Sequence, residues 1–228
     1  MSAKEHTLQR FDNELESIRA HILEMGGLVE VQFKQALLAL GESNSYLARQ
    51  VIEQDQQVNQ FEVTIDRLCC NIIACHKPTA SDLRLIITAT KIIAQLERIG
   101  DEAKKIADIA ERRAKSYRLS IYRFPAIRHA AELTQNMLKE VLDSIARFDP
   151  LSASKVIDQN HLVVEEYSVI LHNLIEFMSK NPTTITTSIE SLFIAKSIER
   201  ISDHIKNISE LVINASNRYN ESAPQSCN

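Results

Sequence analysis

The stretch LERIGD at residues 96–101 returns almost unchanged as IERISD at residues 198–203. The two copies are 102 residues apart, a little under half of the 228-residue chain. In each copy a Glu and an Asp lie four residues apart inside a long helical pattern, so they share one helix face. Because like charges at this spacing repel by roughly a few tenths of a kcal/mol, their repetition predicts a duplicated fold with a duplicated acidic site. The four acidic residues are Glu97, Asp101, Glu199 and Asp203.

Six segments of the chain repeat apolar residues in alternating steps of three and four, which is typical of amphipathic helices. The apolar positions of the third segment run from Leu85 to Ala110, and a shift of 102 residues converts them into those of the sixth, from Thr187 to Val212. With only 4 Gly, 5 Pro and no Trp, the composition favours long helices over turn-rich β folds. The sequence therefore predicts an all-α protein of six long antiparallel helices, arranged as two tandem three-helix bundles.

The predicted bundles divide the chain near its middle. Pro125 suits the first turn of the fourth helix, so a new helix is expected to begin there. We predict a first bundle over residues 1–117 and a second over residues 118–220. The polar residues 221–228 are predicted to form a C-terminal tail outside the second bundle.

Composition excludes several classes of protein. No apolar run approaches the roughly 18 residues that span a bilayer, and the polar N-terminus does not resemble a signal peptide, so we expect a cytoplasmic protein. A net charge of −4 and a pI near 6.0 argue against nucleic-acid binding. The four cysteines form no Cys-x-x-Cys pair and are expected to be reduced thiols.

A second row of acidic residues lies on the predicted second helix, beside its apolar positions. If the second and third helices pack side by side, their acidic rows face one groove and form a carboxylate cage. Oxygen ligands of this kind suit hard divalent cations such as magnesium, manganese and iron. The alternative is a solvated acidic face that forms ion pairs with Arg98, Lys104 or Lys105. The candidate ligands on these two helices are Asp55, Glu62, Asp66, Glu97, Asp101 and Asp108.

The second half carries fewer acidic residues at the equivalent positions. A shift of 105 residues aligns the second helix with the fifth, and it puts Asn160, Tyr167 and Leu171 where the first half has carboxylates. Because fewer charged ligands bind a hard cation more weakly, any metal is predicted to prefer the first bundle. The candidate ligands on the sixth helix are Glu199, Asp203, Asn207 and Glu210.

Signatures of catalysis are missing from the sequence. It contains no Gly-rich phosphate loop, no Gly-x-Ser-x-Gly motif and no recognisable pair of nucleophile and base. The seven histidines form neither a His-Glu-x-x-His nor a Glu-x-x-His motif, so the sequence signatures of zinc proteases and of ferritin-type di-iron sites are missing. We therefore predict that the protein is not an enzyme.

One stretch after the third helix is strongly basic. In one interpretation it complements the helix dipole at the end of that helix and continues as a linker. In the other it is a docking strip for an acidic partner surface or anionic lipid. Its members are Arg112, Arg113, Lys115, Arg118, Arg123 and Arg128.

The motifs PTASDLR at residues 78–84, LERIGD at 96–101 and SIERISDH at 197–204 resemble the PhoU family of phosphate-signalling regulators. The resemblance extends over nearly the whole chain and implies a cytoplasmic, often dimeric protein built from tandem three-helix bundles. It implies a negative regulator of the phosphate-starvation response and a modulator of phosphate uptake. Such a protein acts as a helical adaptor between a PhoR-like sensor histidine kinase and a PstB-like ATPase of the phosphate ABC transporter. Nucleic acid is not an expected partner, and the membrane is reached only through these proteins.

Members of the PhoU family can bind metal ions through Glu/Asp-x-x-x-Asp motifs. The resemblance therefore implies that Glu97, Asp101, Glu199 and Asp203 are metal-site candidates for magnesium, manganese, iron or zinc. Asn207 and Glu210 match later positions of the family motif, whereas Lys105 and Asp108 replace its usual Asn and Glu. Two functions stay open: a non-enzymatic adaptor, and a metal-binding protein whose carboxylate cage serves hydrolysis or metal storage.

Overall fold

The computed structural model describes residues 3–114 and 125–222, and six helices occupy nearly all of this range. Within these two ranges no strand is present, so the predicted all-α fold is confirmed. The predicted boundary between residues 117 and 118 lies outside the described residues, as does the tail beyond residue 222. The helices are α1 (Ala3–Glu42), α2 (Ser45–His76), α3 (Ala80–Ala114), α4 (Pro125–Arg147), α5 (Pro150–Lys180) and α6 (Ile185–Ser222).

Within each bundle, short turns connect consecutive helices. The Asn44 side chain caps α2 by accepting a hydrogen bond from the backbone N–H of Leu47 at 3.1 Å. Lys77 ends α2 in the left-handed conformation, with φ of 49°. Asp149 caps α5 in the same way as Asn44 caps α2, and Pro150 occupies the first helical position. As predicted, α4 begins at Pro125.

The helices pack as two bundles, α1–α3 and α4–α6, which share a continuous apolar core. The bundles meet where α3 packs along α6 and where α1 crosses α4. At the second crossing Gly26 lies against Leu142, and a side chain at position 26 would collide with the leucine. Gly27 has open space around it, so only the first of the two adjacent glycines allows this close approach. The helix α1 runs unbroken through both.

Helix α3 occupies the centre of the molecule because it contacts α1, α2 and α6 extensively. Its buried residues accordingly lie on more than one face and include two charged ones, Glu102 and Arg113. A single apolar seam, as the sequence suggested for each helix, therefore underestimates how much of α3 is covered. Of the helices described here, none is long and apolar enough to cross a membrane.

Candidate functional site

Four of the predicted carboxylates lie together in the groove between α2 and α3, hereafter the acidic groove. Burial raises the pKa of Glu97, and the charges of Asp101, Glu62 and Asp55 raise it further, against the opposing charge of Arg98. Within residues 9–114 and 125–216, whose side chains are described, Glu62, Glu97 and Asp101 form no hydrogen bond or ion pair. The packing of α2 on α3 thus produces a cluster of mutually repelling acids.

Asp55 differs from the other acids of this groove because the protein already neutralises it. Its side chain is only 2% exposed, and Lys104 Nζ lies 2.8 Å from its Oδ2. Gln32 Nε2 donates a second, longer hydrogen bond of 3.4 Å. The hydrogen bond to Asp55 raises the pKa of Lys104, and although burial opposes this, the charges of Asp55, Asp101 and Asp108 raise it further. Lys104 is therefore an ammonium counter-ion for this side of the groove.

The two remaining first-half candidates lie towards the ends of the acidic groove. Asp66 is exposed on α2, where its charge acts on the buried thiol of Cys69. Asp108 is half-buried, and burial raises its pKa while the charges of Arg112 and Lys104 lower it. Of the ion pairs that the alternative interpretation offered for this acidic row, the one with Lys104 is present, whereas Lys105 bonds to Glu102 on the opposite side of α3.

The equivalent groove between α5 and α6 has lost its acidic character. Glu199 is 9% exposed, and Lys196 Nζ lies 2.5 Å from its Oε2. The same ammonium lies 5.1 Å from the centre of the Tyr167 ring. Asp203 accepts a hydrogen bond of 3.2 Å from Asn160, the residue that replaces Asp55 in this half. Both acids of the second motif therefore have partners within the protein.

The outer candidates on α6 are exposed and do not join Glu199 and Asp203. Asn207 donates a hydrogen bond of 3.2 Å to Gln95 Oε1 of α3, and Glu210 lies one turn further along. Across the part of the chain with described side chains, no three His, Cys, Asp or Glu residues are placed to hold a metal ion together. Glu62, Glu97 and Asp101 fit a hard cation by their chemistry, since their oxygens accept no protein donor, and metal binding there stays a prediction.

A buried carboxylate that the sequence did not single out lies where the two bundles meet. Glu102 of α3, 5% exposed, accepts hydrogen bonds from Lys105 (2.8 Å), Ser197 (2.8 Å) and Arg200 (3.3 Å). Burial raises the pKa of Glu102, but the hydrogen bonds from Lys105 and Ser197, with the charges of Lys105 and Arg200, lower it below its ordinary value. The ionised carboxylate therefore holds α3 to α6.

The contacts at this junction repeat when the two halves are exchanged. Gln95 and Glu102 lie 102 residues before Ser197 and His204 respectively. Ser197 contacts Glu102, and its counterpart Gln95 contacts His204, with Nδ1 of the imidazole 2.9 Å from the amide oxygen. Equivalent positions thus form equivalent contacts, and α3 and α6 are related by an approximate twofold axis through the junction.

The basic strip predicted after the third helix is only partly described. Arg113 is 7% exposed and donates to Glu190 Oε2 at 2.8 Å and to the Thr187 carbonyl at 2.7 Å. Including Arg113 in a docking strip was therefore wrong, because its guanidinium links α3 to the start of α6. Lys115, Arg118 and Arg123 lie outside the described residues.

Comparison with known families agrees with the duplication of the three-helix bundle. The model of the PhoU domain matches the chain twice, over residues 22–110 and residues 127–212, once in each bundle. The chain belongs to the PhoU family. Each match covers most of one three-helix bundle, so the internal repeat seen in the sequence is a repeat of the PhoU domain.

Relatives within the PhoU family are similar along most of their length. The phosphate-specific transport system accessory protein PhoU homolog of Pseudomonas putida is 43% identical over 212 residues, covering 93% of this chain and 82% of that protein. The phosphate-specific transport system accessory protein PhoU of Escherichia coli (strain K12) is 41% identical over 214 residues, covering 93% and 87%. The crystal structure of PhoU from Pseudomonas aeruginosa matches with a TM-score of 0.88 at 42% identity, covering 91% of this chain and 99% of that chain.

A more distant relative retains the same fold. The crystal structure of the phosphate transport system regulatory protein PhoU from Streptococcus pneumoniae matches with a TM-score of 0.83 at 26% identity, covering 90% of this chain and 96% of that chain. The resemblance to the PhoU family and the two-bundle fold predicted from the sequence are both confirmed.

Proposed function

We propose that this protein is a cytoplasmic, non-enzymatic negative regulator of the phosphate-starvation response that also modulates phosphate uptake. It acts as a helical adaptor between a PhoR-like sensor histidine kinase and a PstB-like transporter ATPase. The observation that carries the proposal is the match of both bundles to the PhoU domain, together with relatives named as phosphate-specific transport system accessory proteins. The chain covers 82% and 87% of two such relatives, so the comparison concerns nearly whole proteins.

The second bundle offers a surface on which a partner protein can dock. Val164 and Ile175 on α5, and Ile189 and Phe193 on α6, are large apolar residues exposed by 38% to 59%. All four belong to the two helices α5 and α6, and apolar side chains left exposed on a helix pair are candidates for protein interaction sites. The first bundle instead offers a charged surface, the acidic groove between α2 and α3. The two halves therefore present partners with different chemistry, which suits an adaptor that contacts two proteins.

Deleting the gene in its host tests the regulatory part of the proposal. We expect expression from phosphate-starvation promoters in phosphate-rich medium, because the kinase loses its inhibitor, and complementation should restore repression. Normal repression in the deletion strain would refute negative regulation. Enzymatic activity is tested separately by assaying the purified protein for phosphatase activity with and without added divalent metal, where we expect no turnover.

A pull-down with the kinase and the transporter ATPase tests the docking surface. Phe193→Ser should reduce capture of at least one partner, since it removes an apolar side chain that is 59% exposed. Tyr46→Ser on α2 is the matched control, because it removes an aromatic side chain that is 69% exposed outside the surface. We also propose a homodimer, which light scattering of the purified protein will detect; a single monomeric mass over micromolar concentrations would contradict it.

A second candidate function is binding of a divalent cation in the acidic groove. The raised pKa of Glu97, caused first by burial and then by Asp101, Glu62 and Asp55, indicates repulsion that a cation would relieve. Added Mn²⁺ or Mg²⁺ should therefore raise the melting temperature by mass action. Asp101→Asn should abolish this rise and Asp203→Asn should leave it mostly intact. Equal losses would indicate two equivalent sites, and no effect on the wild-type protein would show a solvated acidic face. A metal-storage or hydrolytic role would require this binding.

A further inference from the structure

A cavity of about 240 Å³ opens between the first half of α3 and the C-terminal part of α6, hereafter the basic cavity. None of the candidate metal ligands lines it. Among the described residues its lining includes two cations and no acid. The polar side chains that line it are Ser81, Arg84, Thr88, Lys91 and Asn214.

The basic cavity exists because the two ends of the α3–α6 junction are not alike. At the opposite end Arg113 fills the space, since its guanidinium donates to Glu190 Oε2 at 2.8 Å and to the Thr187 carbonyl at 2.7 Å. A shift of 102 residues converts Arg113, Thr187 and Glu190 into Ala215, Leu85 and Thr88. All three of these equivalent residues line the basic cavity. The space that a guanidinium occupies at one end is therefore left open by an alanine at the other.

The charge at the two ends is reversed as well. Where Glu190 faces the guanidinium at one end, the basic cavity has the neutral Thr88. Arg84 and Lys91 lie one turn before and one turn after Thr88, so the three share a helix face. In the part of the chain with described side chains, neither cation forms a hydrogen bond or ion pair.

The acids close to the basic cavity in sequence do not neutralise it. Asp82 lies two residues before Arg84, and its Oδ2 accepts a hydrogen bond of 2.6 Å from the Thr79 hydroxyl. Glu210 lies one turn before Asn214 on α6, where it is exposed and outside the lining. The positive charge of the basic cavity is therefore open to an acid from another molecule.

The face of α3 beside the basic cavity is equivalent to the apolar docking face of α6. A shift of 102 residues converts Ile87 and Lys91 into Ile189 and Phe193. Ile87 is 42% exposed and lines the cavity. The duplicated chain thus presents the same helix face twice, with a phenylalanine in one copy and a lysine in the other. The second copy suits a partner surface that is acidic rather than wholly apolar.

We propose that the basic cavity binds an acidic side chain of a partner protein. The carboxylate of that side chain pairs with Arg84 and Lys91, and it accepts hydrogen bonds from the Thr88 hydroxyl and the Asn214 amide. A protein fits this site better than a small anion, because both cations are exposed and Ile87 offers an apolar contact at the rim. The proposal rests on the proposed adaptor function and deepens it by naming the chemistry of one partner contact.

Placing an acid in the basic cavity tests its charge without any partner. Ala215→Glu should melt about 1–3 °C above Ala215→Gln, which adds a side chain of the same size without the charge. The same pair is then compared in a protein that also carries Arg84→Ala and Lys91→Ala, where the difference should vanish. An equal difference in the two backgrounds would overturn the proposal.

Binding of the full-length protein to the purified kinase and to the purified transporter ATPase tests the partner. Arg84→Glu and Lys91→Glu should each weaken binding to one of them at least about tenfold, and high salt should weaken the wild-type binding. Both variants should keep the helical circular dichroism spectrum, because both positions are exposed. Lys139→Glu is the matched control, since it makes the same charge change on an exposed position of α4 and should leave affinity unchanged.

The outcomes separate this proposal from the proposed function. Wild-type binding that Arg84→Glu and Lys91→Glu both retain would overturn the proposal and leave the adaptor function intact. Saturable binding of inorganic phosphate that Arg84→Glu abolishes, with partner binding unchanged, would overturn it in favour of a small-anion site. Binding of neither protein to the wild type would refute the adaptor function and this proposal with it, whereas repression in the deletion strain tests regulation independently.

Discussion

Replacing Glu102 by glutamine should loosen the contact between the two bundles by a predictable amount. The carboxylate is 5% exposed and accepts three hydrogen bonds, but Lys105 and Arg200 are each 52% exposed. Solvent screening limits each of these two ion pairs to about 0.2–1 kcal/mol. The buried bond from Ser197 survives in the variant, because the glutamine oxygen also accepts. Glu102→Gln should therefore cost about 1 kcal/mol of unfolding free energy.

The alanine variant separates the charge of Glu102 from its hydrogen-bonding role. Glu102→Ala leaves the Ser197 hydroxyl without its acceptor on α3 and creates a small cavity, so the cost should rise to about 2–4 kcal/mol. Urea unfolding monitored by circular dichroism measures both variants. Glu53→Gln is the control, because Glu53 is exposed on α2 and its replacement should change stability by less than about 0.5 kcal/mol.

The contribution of Glu102 to stability should depend on pH. Its pKa in the folded protein is lowered, so its contribution is complete above the ordinary value of 4.5 and is lost as pH falls through the folded value. The stability difference between wild type and Glu102→Gln should therefore shrink in acid. A glutamine variant as stable as the wild type at pH 7, or a difference that persists unchanged at low pH, would refute the assignment of Glu102 as an ionised link.

Arg113→Lys should cost about 2–3 kcal/mol in urea unfolding, because lysine cannot reproduce the buried guanidinium bonds that link α3 to α6. A loss below about 0.5 kcal/mol, which is typical of surface substitutions, would contradict this. Gly27→Ala should raise the melting temperature, because alanine gains about 1 kcal/mol in helix propensity over glycine. Gly26→Ala should raise it less or lower it, because the new side chain meets Leu142. A larger rise for Gly26→Ala than for Gly27→Ala would exclude the close approach of α1 to α4. Burial raises the pKa of the Cys69 thiol to about 11, so mass spectrometry after iodoacetamide treatment at about pH 8 should find exposed Cys70 alkylated first.

The helices and their duplication could be predicted from the sequence because they depend on local periodicity. Steps of three and four residues define a buried face whatever the partner helix is, and the 102-residue shift shows that two such patterns match. The acidic groove was predictable for the same reason, since Asp55 and Glu97 each lie beside an apolar seam. The sequence also showed the loss of acids from the second half, because Asn160 and Tyr167 stand at the positions equivalent to Asp55 and Glu62.

The junction between the bundles was not predictable in this way. The side of α3 that faces α6 carries Gln95, Glu102 and Arg113, and polar residues in a single sequence indicate a solvated face. Their burial depends on partners from α6, including Ser197 and Glu190, that lie 77 to 95 residues away in the chain. The periodicity of apolar residues does not indicate which polar helix faces will pack against each other. For the acidic face, the sequence suggested Lys104 only as one of three possible cations, and it did not indicate that Asp55 would be its partner.

The approximate twofold axis at the junction has an evolutionary consequence. Two identical subunits that meet on such an axis must carry the same residue at both ends, because one gene encodes both. Fusing the copies into one chain removes that restriction, so mutation can act on one end alone. Glu102 and His204 illustrate this freedom, because equivalent positions of the two repeats hold an acid in one copy and an imidazole in the other. Tandem duplication has thus allowed a symmetric contact surface to evolve an unsymmetric chemistry.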